Sequence, residues 1–461
     1  MLHDDIGTGP ASQDQPGYAM LCLSRLWDEL DRRPLLEMAI DISALRPVLL
    51  PSQLPLADLL EAERLRRMGR CDHAETLLVR VCHRLLIGRH DHFWLARAWH
   101  SLGLAKRQSA KFEAAADAFL QALELDSRRS ITWYALQFTR LSVEAIAARI
   151  DRLEAVVKLS GGYPLALLLF SDWLCQLGRH RQGLSHGQLA VQLSVPSHQQ
   201  AKLIPGAPPT VPDALVIGAP KCGTTSFAAW LSGHPQLWVH PRKELHFFDN
   251  RWDWGENWYR HQFPSFKADE KIIRLEATPN YFQLPEAPER VFNLMPNVRL
   301  IVLLREPLER AVSWYYHMVR QEGLSQPLEQ VICEELEGLL AMNQNQRLDL
   351  GWYGSNCLAG SLYEDQLYRW RLFFPSDQLL VLRLEDLVAS PEACMKRLED
   401  YLGIGRLAVG QLLLLPKLNP APAPYSQLGV DLSQRCLETV LVGAHQLWQV
   451  SQLKHCVGKS T

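Results

Sequence analysis

The strongest constraint on this 461-residue chain is a short apolar run that leads into a glycine-bounded turn, ALVIGAPKCGTTS at residues 214–226. The apolar residues 214–217 predict a buried strand, and Thr224 and Thr225 open an amphipathic stretch that predicts a helix. A strand, a tight turn and a helix in this order place backbone N–H groups and the positive end of the helix dipole around an anion. The sequence therefore predicts a phosphate-binding loop here.

The position of the lysine separates this loop from that of a nucleotide triphosphatase. In the GxxxxGK[ST] pattern of those enzymes, the lysine directly follows the last glycine. Gly218 and Gly223 keep this glycine spacing, but Thr224 stands in the lysine's place and the lysine is Lys221. We therefore expect the loop to hold a phosphate while its cation contacts a different atom.

Composition indicates an ordinary globular protein in which any anion site is local. The formal net charge is −2 and 21% of the residues are charged, so no global positive field attracts nucleic acid or a membrane surface. The first 17 residues lack the pattern of a signal peptide, and the longest apolar run, 165–170, is too short to span a membrane. The ten cysteines are irregularly spaced, which predicts reduced thiols, a cytoplasmic location and no bound metal.

A helical repeat precedes the phosphate loop. Trp99 and Leu102 recur 34 residues later as Trp133 and Leu136, a period that resembles the paired antiparallel helices of tetratricopeptide repeats. A generic helical bundle is the alternative, because only the copy that begins at Trp99 is complete. Stacked repeats would present a concave surface to an acceptor or a protein partner. Further copies are indicated by Gly69, Ala74, Leu78 and Val81 and by Gly178, Gly183, Ala190 and Leu193.

After a break rich in proline and polar residues, the pattern changes to alternating strands and helices. Apolar runs at 298–304 and 378–387 predict short buried strands, so this half predicts a parallel sheet with crossover helices. The expected domains are a disordered N-terminus with a leading helix (1–54), a repeat domain (55–195), a linker (196–212) and an α/β domain (213–461).

A second anion signal follows the predicted strand at 298–304. Arg305 ends that strand, Pro307 suits the first turn of a helix, and Ser313 lies about two turns into it. Arg305 and Ser313 could therefore converge on one anion. A structural ion pair is the alternative for Arg305, but a phosphate loop earlier in the chain favours a second phosphate site at the same sheet edge.

Together, these motifs resemble the sulfotransferases that use PAPS, an adenine nucleotide that carries a 3′-phosphate and a 5′-phosphosulfate. The resemblance covers residues of about 212–405 and is strongest to the heparan-sulfate type and its bacterial relatives. Its motifs, in the family's order, are PKCGTTS (220–226), KELHFFDN (243–250), WYRHQFP (258–264), EATPNYF (276–282), REPLERAVSWYY (305–316) and the stretch 361–387.

The resemblance implies a three-layer P-loop-type α/β domain that moves a sulfuryl group from PAPS to a hydroxyl or amine without a metal. Lys221 would stabilise charge on the leaving phosphate oxygen, and Glu244 would accept the acceptor's proton. Burial is expected to raise the pKa of Glu244 towards neutrality. His246 matches a position that lines the acceptor pocket in some relatives, with a core histidine as an equal alternative. The implied donor-binding residues are Lys221, Cys222, Gly223, Thr224, Thr225, Ser226, Arg305 and Ser313, with Cys222 a spacer in the loop and not a nucleophile.

Two departures from the family bear on the acceptor and the donor. Ala277 stands where heparan-sulfate enzymes often carry a lysine, and Glu276 before it would suit a neutral or basic acceptor. The family's late donor-binding loop is not visible, and Lys417 or Asn419 would substitute for it. We expect the acceptor to be a glycan or a small metabolite, bound without nucleic acid or a membrane span.

Two other functions stay open. A P-loop kinase would need a lysine at Thr224 and a metal-binding aspartate after a strand, and the sequence supplies neither clearly. A scaffold protein would use its repeats and carry an inactive nucleotide-binding domain, although the candidate residues Lys221 and Glu244 are intact.

Overall fold

The computed structural model describes residues 15–29, 35–88, 91–204, 206–352, 354–407 and 430–440. The chain divides into two compact units, one chiefly Met1–Leu193 with Tyr316–Ser325, and the other chiefly Ser194–Tyr315 with Gln326–Leu418. Lys417 and Asn419, the residues expected to replace the late donor-binding loop, lie outside the described residues.

The first unit is helical, as the sequence predicts. Its described helices are α1 (Gln15–Asp28), α2 (Leu35–Leu45), α3 (Leu54–Arg67), α4 (Cys71–Ile87), α5 (His92–Gln108), α6 (Phe112–Leu125), α7 (Ser130–Gln137), α8 (Val143–Ala147), α9 (Ile150–Leu159), α10 (Pro164–Gln176) and α11 (His180–Ser194). Two helices stand where a single leading helix was expected before residue 55. Leu26 of α1 and Met38 of α2 are buried in the same apolar core as Leu59 of α3.

Helices that follow one another in this unit pack together, which supports helical repeats. Gly103 of α5 faces α6, and a Cβ there would collide with the Phe119 ring, so the glycine permits a close approach of the two helices. Gly69 and Gly178 have φ angles of 74° and 73° in the turns before α4 and α11, which favours glycine at both positions. The assignment to the tetratricopeptide class stays a prediction.

The helical unit also contains Tyr316–Ser325. Arg66 Nη1 and Gln108 Nε2 both donate to the Arg320 carbonyl, at 2.9 and 2.6 Å. Arg107 Nη2 donates to Gln321 Oε1 at 2.7 Å. Cationic and amide donors near the last carbonyls of a helix complement its dipole and satisfy groups that lack an intrahelical donor. The helical unit therefore binds a segment that lies more than a hundred residues further along its own chain.

The second unit is built on a parallel five-stranded sheet in the order β2-β3-β1-β4-β5. The strands are β1 (Ala214–Gly218), β2 (Leu237–Val239), β3 (Ile273–Ala277), β4 (Arg299–Leu304) and β5 (Leu379–Arg383). The central strand β1 is buried along its whole length, as expected for a parallel strand covered on both faces. The predicted parallel α/β architecture is therefore confirmed.

The described helices of this unit begin with α12 (Ser197–Gln200), α13 (Thr224–Leu231), α14 (Gly255–Arg260), α15 (Ala287–Leu294), α16 (Pro307–Glu322) and α17 (Leu328–Ala341). They continue with α18 (Gln344–Leu348), α19 (Tyr363–Arg371), α20 (Leu384–Ala389), α21 (Pro391–Leu402) and α22 (Val430–Val440). Within the described ranges, no helix combines the length and the apolar character that crossing a membrane requires.

The predicted strand at 378–387 is shorter in the structure. It ends at Arg383, and residues Leu384–Ala389 form helix α20. Glu385 and Asp386 lie in the first turn of that helix, where acidic side chains interact favourably with the helix dipole. The strand predicted at 298–304 is observed as β4, and the helix expected to begin at Pro307 is α16.

Candidate active site

Three segments that carry candidate residues meet at one edge of the sheet. Because β3, β1 and β4 are adjacent and parallel, their carboxyl ends lie side by side. Lys221 follows β1 and Arg305 follows β4 directly. The Glu244 N–H donates to the Ala277 carbonyl at the end of β3, at 2.9 Å. The structure therefore brings these segments to the edge at which open α/β sheets bind ligands.

The phosphate loop (residues 218–225) has the backbone of an anion-binding loop. Gly223 has a φ of 84° directly before α13, and a Cβ there would lie 2.9 Å from Leu384. Both the conformation and the available space therefore favour glycine. Thr224 and Thr225 are the first residues of α13, where backbone N–H groups have no intrahelical acceptor. Ser226 follows them and is buried.

Lys221 holds a strained position in this loop. Its φ is 70° and its side chain is partly exposed. A residue with a Cβ rarely adopts this conformation, and such strain is concentrated at functional sites. The fold therefore maintains a costly conformation at Lys221. This is the lysine whose position in the sequence distinguishes the loop from that of a nucleotide triphosphatase.

Cys222 of the phosphate loop is fully buried and contacts Tyr363 at the start of α19. Its Sγ lies 3.5 Å from the Tyr363 hydroxyl, which donates to the Arg305 carbonyl at 3.0 Å. Burial raises the pKa of Cys222 to about 11, so the neutral thiol predominates and supports a packing role. Tyr363 also joins the phosphate loop to the start of the second candidate phosphate segment.

The second phosphate segment contains an ion pair. The Arg305 guanidinium binds Glu309 Oε2 through Nη2 at 2.8 Å and through Nε at 3.1 Å. Ser313 is buried on the same helix, α16. The structure thus shows the ion pair that was the alternative for Arg305, and a phosphate at this position would compete with the Glu309 carboxylate for the guanidinium.

Four side chains of alternating charge form a chain around Glu244. Lys243 Nζ lies 2.5 Å from Glu244 Oε1, and Glu244 Oε2 lies 3.3 Å from His246 Nε2. His246 Nδ1 contacts Asp249 Oδ2 at 2.6 Å. Glu244 and His246 both have positive φ, 71° and 55°. The two ring nitrogens of His246 therefore face one carboxylate each, an arrangement that favours the imidazolium.

The expected pKa of Glu244 is wrong in direction. Burial does raise it, but the charge of Lys243 and the hydrogen bond and charge of His246 outweigh burial and lower the pKa below its usual range. For His246, burial lowers the pKa, but Asp249 and Glu244 raise it to about 9. Glu244 is therefore a carboxylate at neutral pH, held between two cations. His246 is buried and contacts Glu244 directly.

Glu276 is not an acceptor-facing acid. Its side chain is completely buried and accepts hydrogen bonds from the hydroxyls of Tyr259, Tyr281 and Thr278, the last two at 2.7 and 2.8 Å. Burial raises the pKa of Glu276. Because its oxygens are used inside the core, the expectation that Glu276 selects a neutral or basic acceptor is wrong. Ala277, at the expected lysine position, is buried as well.

Sequence reasoning missed Lys243, Asp249 and Tyr363, which orient or charge the candidate residues. The signal for the first two was present in the motif KELHFFDN, where residues of opposite charge alternate around the glutamate and histidine. Tyr363 lies in the quoted stretch 361–387 but carries no local signal, because its partners belong to other segments.

The parallel sheet and the glycine-bounded loop after β1 define an α/β fold of the P-loop type. Residues 211–411 match the family model of the sulfotransferase domain, the family that this part of the chain is predicted to resemble. The predicted resemblance is thereby confirmed.

Several curated proteins are similar to the same region. A membrane-associated sulfotransferase of Dictyostelium discoideum is 29% identical over 44% of this chain and 58% of its own length. Heparan sulfate glucosamine 3-O-sulfotransferase 3A1 of Mus musculus is 32% identical over 43% of this chain and 47% of its own length. The bifunctional heparan sulfate N-deacetylase/N-sulfotransferase 3 of Mus musculus is 29% identical over 42% of this chain and 22% of its own length. The chain thus spans from about a fifth to under two thirds of these relatives.

Among solved structures, a sulfotransferase from Alicyclobacillus acidocaldarius aligns with 51% of this chain and 96% of its own, at 20% identity and a TM-score of 0.38. The family assignment rests on the domain match and not on this superposition.

Proposed function

We propose that the protein transfers a sulfuryl group from PAPS to a hydroxyl or amine of an acceptor, and that the acceptor is a glycan. The observation that carries this proposal is that two residues of positive φ lie at the same edge of the sheet: Lys221 in the phosphate loop, and Glu244, whose backbone N–H donates to the Ala277 carbonyl at the end of the neighbouring strand. The names of the heparan sulfate relatives support a glycan in preference to a small metabolite.

The residues of the phosphate loop fit the donor. Gly223, where a Cβ has no room, allows the backbone to approach a 5′-phosphate, and α13 directs its N-terminus towards it. Arg305 and Ser313 would hold the 3′-phosphate once Glu309 releases the guanidinium. PAPS would supply the sulfuryl group and a phosphate leaving group. In this site Lys221 stabilises the negative charge that develops on the bridging oxygen as the sulfur–oxygen bond breaks.

Glu244 accepts the proton that the acceptor loses as its oxygen or nitrogen bonds to sulfur. Lys243 and His246 keep Glu244 ionised at neutral pH, so the base is always in its reactive form. A low pKa makes it a weak base, which matches an acceptor whose proton becomes acidic only in the transition state. Asp249 fixes the orientation of His246, and His246 in turn fixes the orientation of the base.

Incubation of the full chain with radiolabelled PAPS and a panel of acceptors tests the proposal. The panel comprises heparan sulfate, its unsulfated precursor, other polysaccharides, simple phenols and amines. We expect label in a polysaccharide and none when Lys221→Ala replaces the wild-type chain. Tight binding of adenosine 3′,5′-bisphosphate without transfer to any acceptor would contradict the proposed activity and favour the scaffold alternative.

The role of the helical unit and the location of the protein are further parts of this proposal. We infer that the helical unit presents a surface to the acceptor or to a protein partner, and that the protein is cytoplasmic, as its irregular cysteines suggest. A comparison in cells distinguishes an enzyme from a scaffold. If Lys221→Ala and Glu244→Ala have no phenotype while removal of the helical unit does, the scaffold interpretation is correct.

A further inference from the structure

Arg310 is a completely buried cation whose hydrogen-bond partners are all backbone carbonyls. It lies in the first turn of α16, and its Nε donates to the Pro220 carbonyl in the phosphate loop at 3.1 Å. Its Nη1 donates to the carbonyls of Asn356 and Cys357, at 3.0 and 2.8 Å. Its guanidinium carbon lies 5.2 Å from the centre of the Trp314 ring. In the described part of the chain, no carboxylate compensates its charge.

Burial of a guanidinium without a carboxylate is costly unless several well-placed acceptors satisfy it. The segment 355–361 supplies two of the three carbonyls that satisfy Nε and Nη1, whereas Nη2 is buried without a hydrogen-bond partner among the described residues. Gly360 lies against the guanidinium, and a Cβ there would collide with it. Asn356 has a φ of 59°, a conformation that costs free energy in any residue with a Cβ. Gly360, which leaves no space for a Cβ, and Asn356, whose φ is positive, thus both lie in contact with Arg310.

The same segment is fixed from its other side by Glu335. This carboxylate of α17 accepts hydrogen bonds from the N–H groups of Cys357, Leu358 and Ala359, at 3.0, 2.8 and 3.3 Å. The carbonyls that Arg310 binds therefore belong to a rigid loop. Arg310 connects that loop to the residue directly before Lys221.

We propose that Arg310 is a positioning residue that keeps Lys221 in its strained, reactive conformation by holding the Pro220 carbonyl. The proposal rests on the proposed donor-binding function of the phosphate loop. A φ of 70° is unfavourable for lysine, so the preceding residue must be anchored for that conformation to persist. Arginine suits the task because its planar fork reaches carbonyls of two separate segments at once, which the single ammonium of lysine cannot do.

A matched pair of variants tests this role. Arg369 is a second buried arginine that donates only to backbone carbonyls, those of Leu348, Leu350 and Gln283. None of these residues belongs to the phosphate loop. Arg310→Lys and Arg369→Lys therefore remove similar buried contacts at two places. Both are compared with the wild type in melting temperature, in affinity for adenosine 3′,5′-bisphosphate, and in kcat and KM.

We expect both variants to lower the melting temperature and only Arg310→Lys to lower kcat strongly. A displacement of Lys221 of about 1 Å would lower kcat by about 10²-fold, whereas Arg369→Lys should leave kcat within about twofold, a minor effect for a contact outside the site. Equal losses of kcat in the two variants would overturn the proposal. If the wild type binds no nucleotide, the proposed function fails and the role of Arg310 fails with it, whereas nucleotide binding with equal losses of kcat overturns the role of Arg310 alone.

A double-mutant cycle provides a second test that depends on the Arg310–Gly360 contact. Gly360→Ala inserts a Cβ into the guanidinium, so we expect it to displace Arg310 and lower kcat in the wild-type background. In the Arg310→Lys background the alanine meets a slimmer side chain, and the further loss of kcat should be under about threefold because the two residues are coupled. Multiplicative losses in the double variant would show that Gly360 acts independently of Arg310 and would contradict the proposed role.

Discussion

The phosphate loop and the base segment (residues 243–249) both present a functional side chain from a residue with positive φ, but they are held by different forces. The phosphate loop is fixed by hydrogen bonds of Arg310 and by the neutral Cys222 and Tyr363. The base segment is fixed by the alternating charges of Lys243, Glu244, His246 and Asp249, so protonation of its members changes its geometry.

This difference predicts that the phosphate loop and the base segment respond differently to pH. The contacts that Arg310, Cys222 and Tyr363 make with the phosphate loop do not depend on a group that titrates near neutral pH, so the shape of the loop should vary little between about pH 6 and pH 8. In the base segment, the pKa of His246 is raised to about 9, and the charge next to Glu244 therefore depends on pH. We expect pH to change the charges of the base segment more than the shape of the phosphate loop.

The largest effect is expected from Lys221→Ala. Removal of the cation beside the leaving oxygen should lower kcat by about 10³-fold, the cost typical of losing one preorganised group that stabilises transition-state charge. Affinity for adenosine 3′,5′-bisphosphate should fall less, because the backbone of the loop remains. Single-turnover transfer and calorimetric titration measure the two quantities. A variant that loses binding and keeps the rate of the bound complex would contradict the catalytic role of Lys221.

Glu244→Gln should produce the next largest effect. The amide keeps the size of the side chain but cannot accept the proton, and loss of a general base typically lowers kcat by about 10²-fold or more. Donor affinity should stay unchanged, since the phosphate loop does not depend on Glu244. Glu276→Gln is the matched control, because Glu276 is an acid of the same size that is buried in the core. The control should lower the melting temperature and leave the pH dependence of kcat unchanged.

The parts of the site that the sequence predicted are those encoded locally. The apolar run, the glycine spacing and the hydroxyl residues predicted β1, the phosphate loop and α13, and Pro307 predicted the start of α16. Each depends on residues that are close together in the chain. The shortened β5 was missed because the apolar residues at 384 and 387 suit a helix as well as a strand.

The parts that the sequence did not predict depend on contacts between distant segments. Arg310 is separated from its carbonyl partners by 90, 46 and 47 residues, and backbone carbonyls carry no sequence signal. The pKa of Glu244 was predicted from burial alone, while the structure adds Lys243 and His246 as counter-charges. The sequence did not show that Glu276 is buried in the core, because its three hydroxyl donors come together only in the folded chain.

Lys243→Met should shift the pH profile of kcat/KM, and it should lower kcat less than Glu244→Gln does. Among the effects that lower the pKa of Glu244, the charge of Lys243 is the largest. Its removal therefore raises that pKa, and the acid limb of kcat/KM should move to higher pH. A profile of kcat/KM between about pH 4 and pH 8 measures the shift, whose size reflects the lost interaction. An acid limb that stays in place would show that Glu244 is not the group that titrates there.

A further effect is expected for stability, in a comparison of the wild type with His246→Gln. The pKa of His246 is about 9 in the folded protein and about 6.5 in an unfolded chain. The folded state therefore binds the proton more tightly, and the stabilisation it contributes is complete below about pH 6.5 and is lost as pH rises through about 9. The free energy of unfolding of the wild type should exceed that of His246→Gln most at about pH 6, with the difference shrinking by about pH 10. Chemical denaturation at both pH values measures it. Every other titrating group is common to both proteins, so the pH dependence of the difference comes from His246. A difference that does not depend on pH would mean that His246 is held by packing and not by the charges of Glu244 and Asp249. The contrast between the base segment and the phosphate loop would then lose its physical basis.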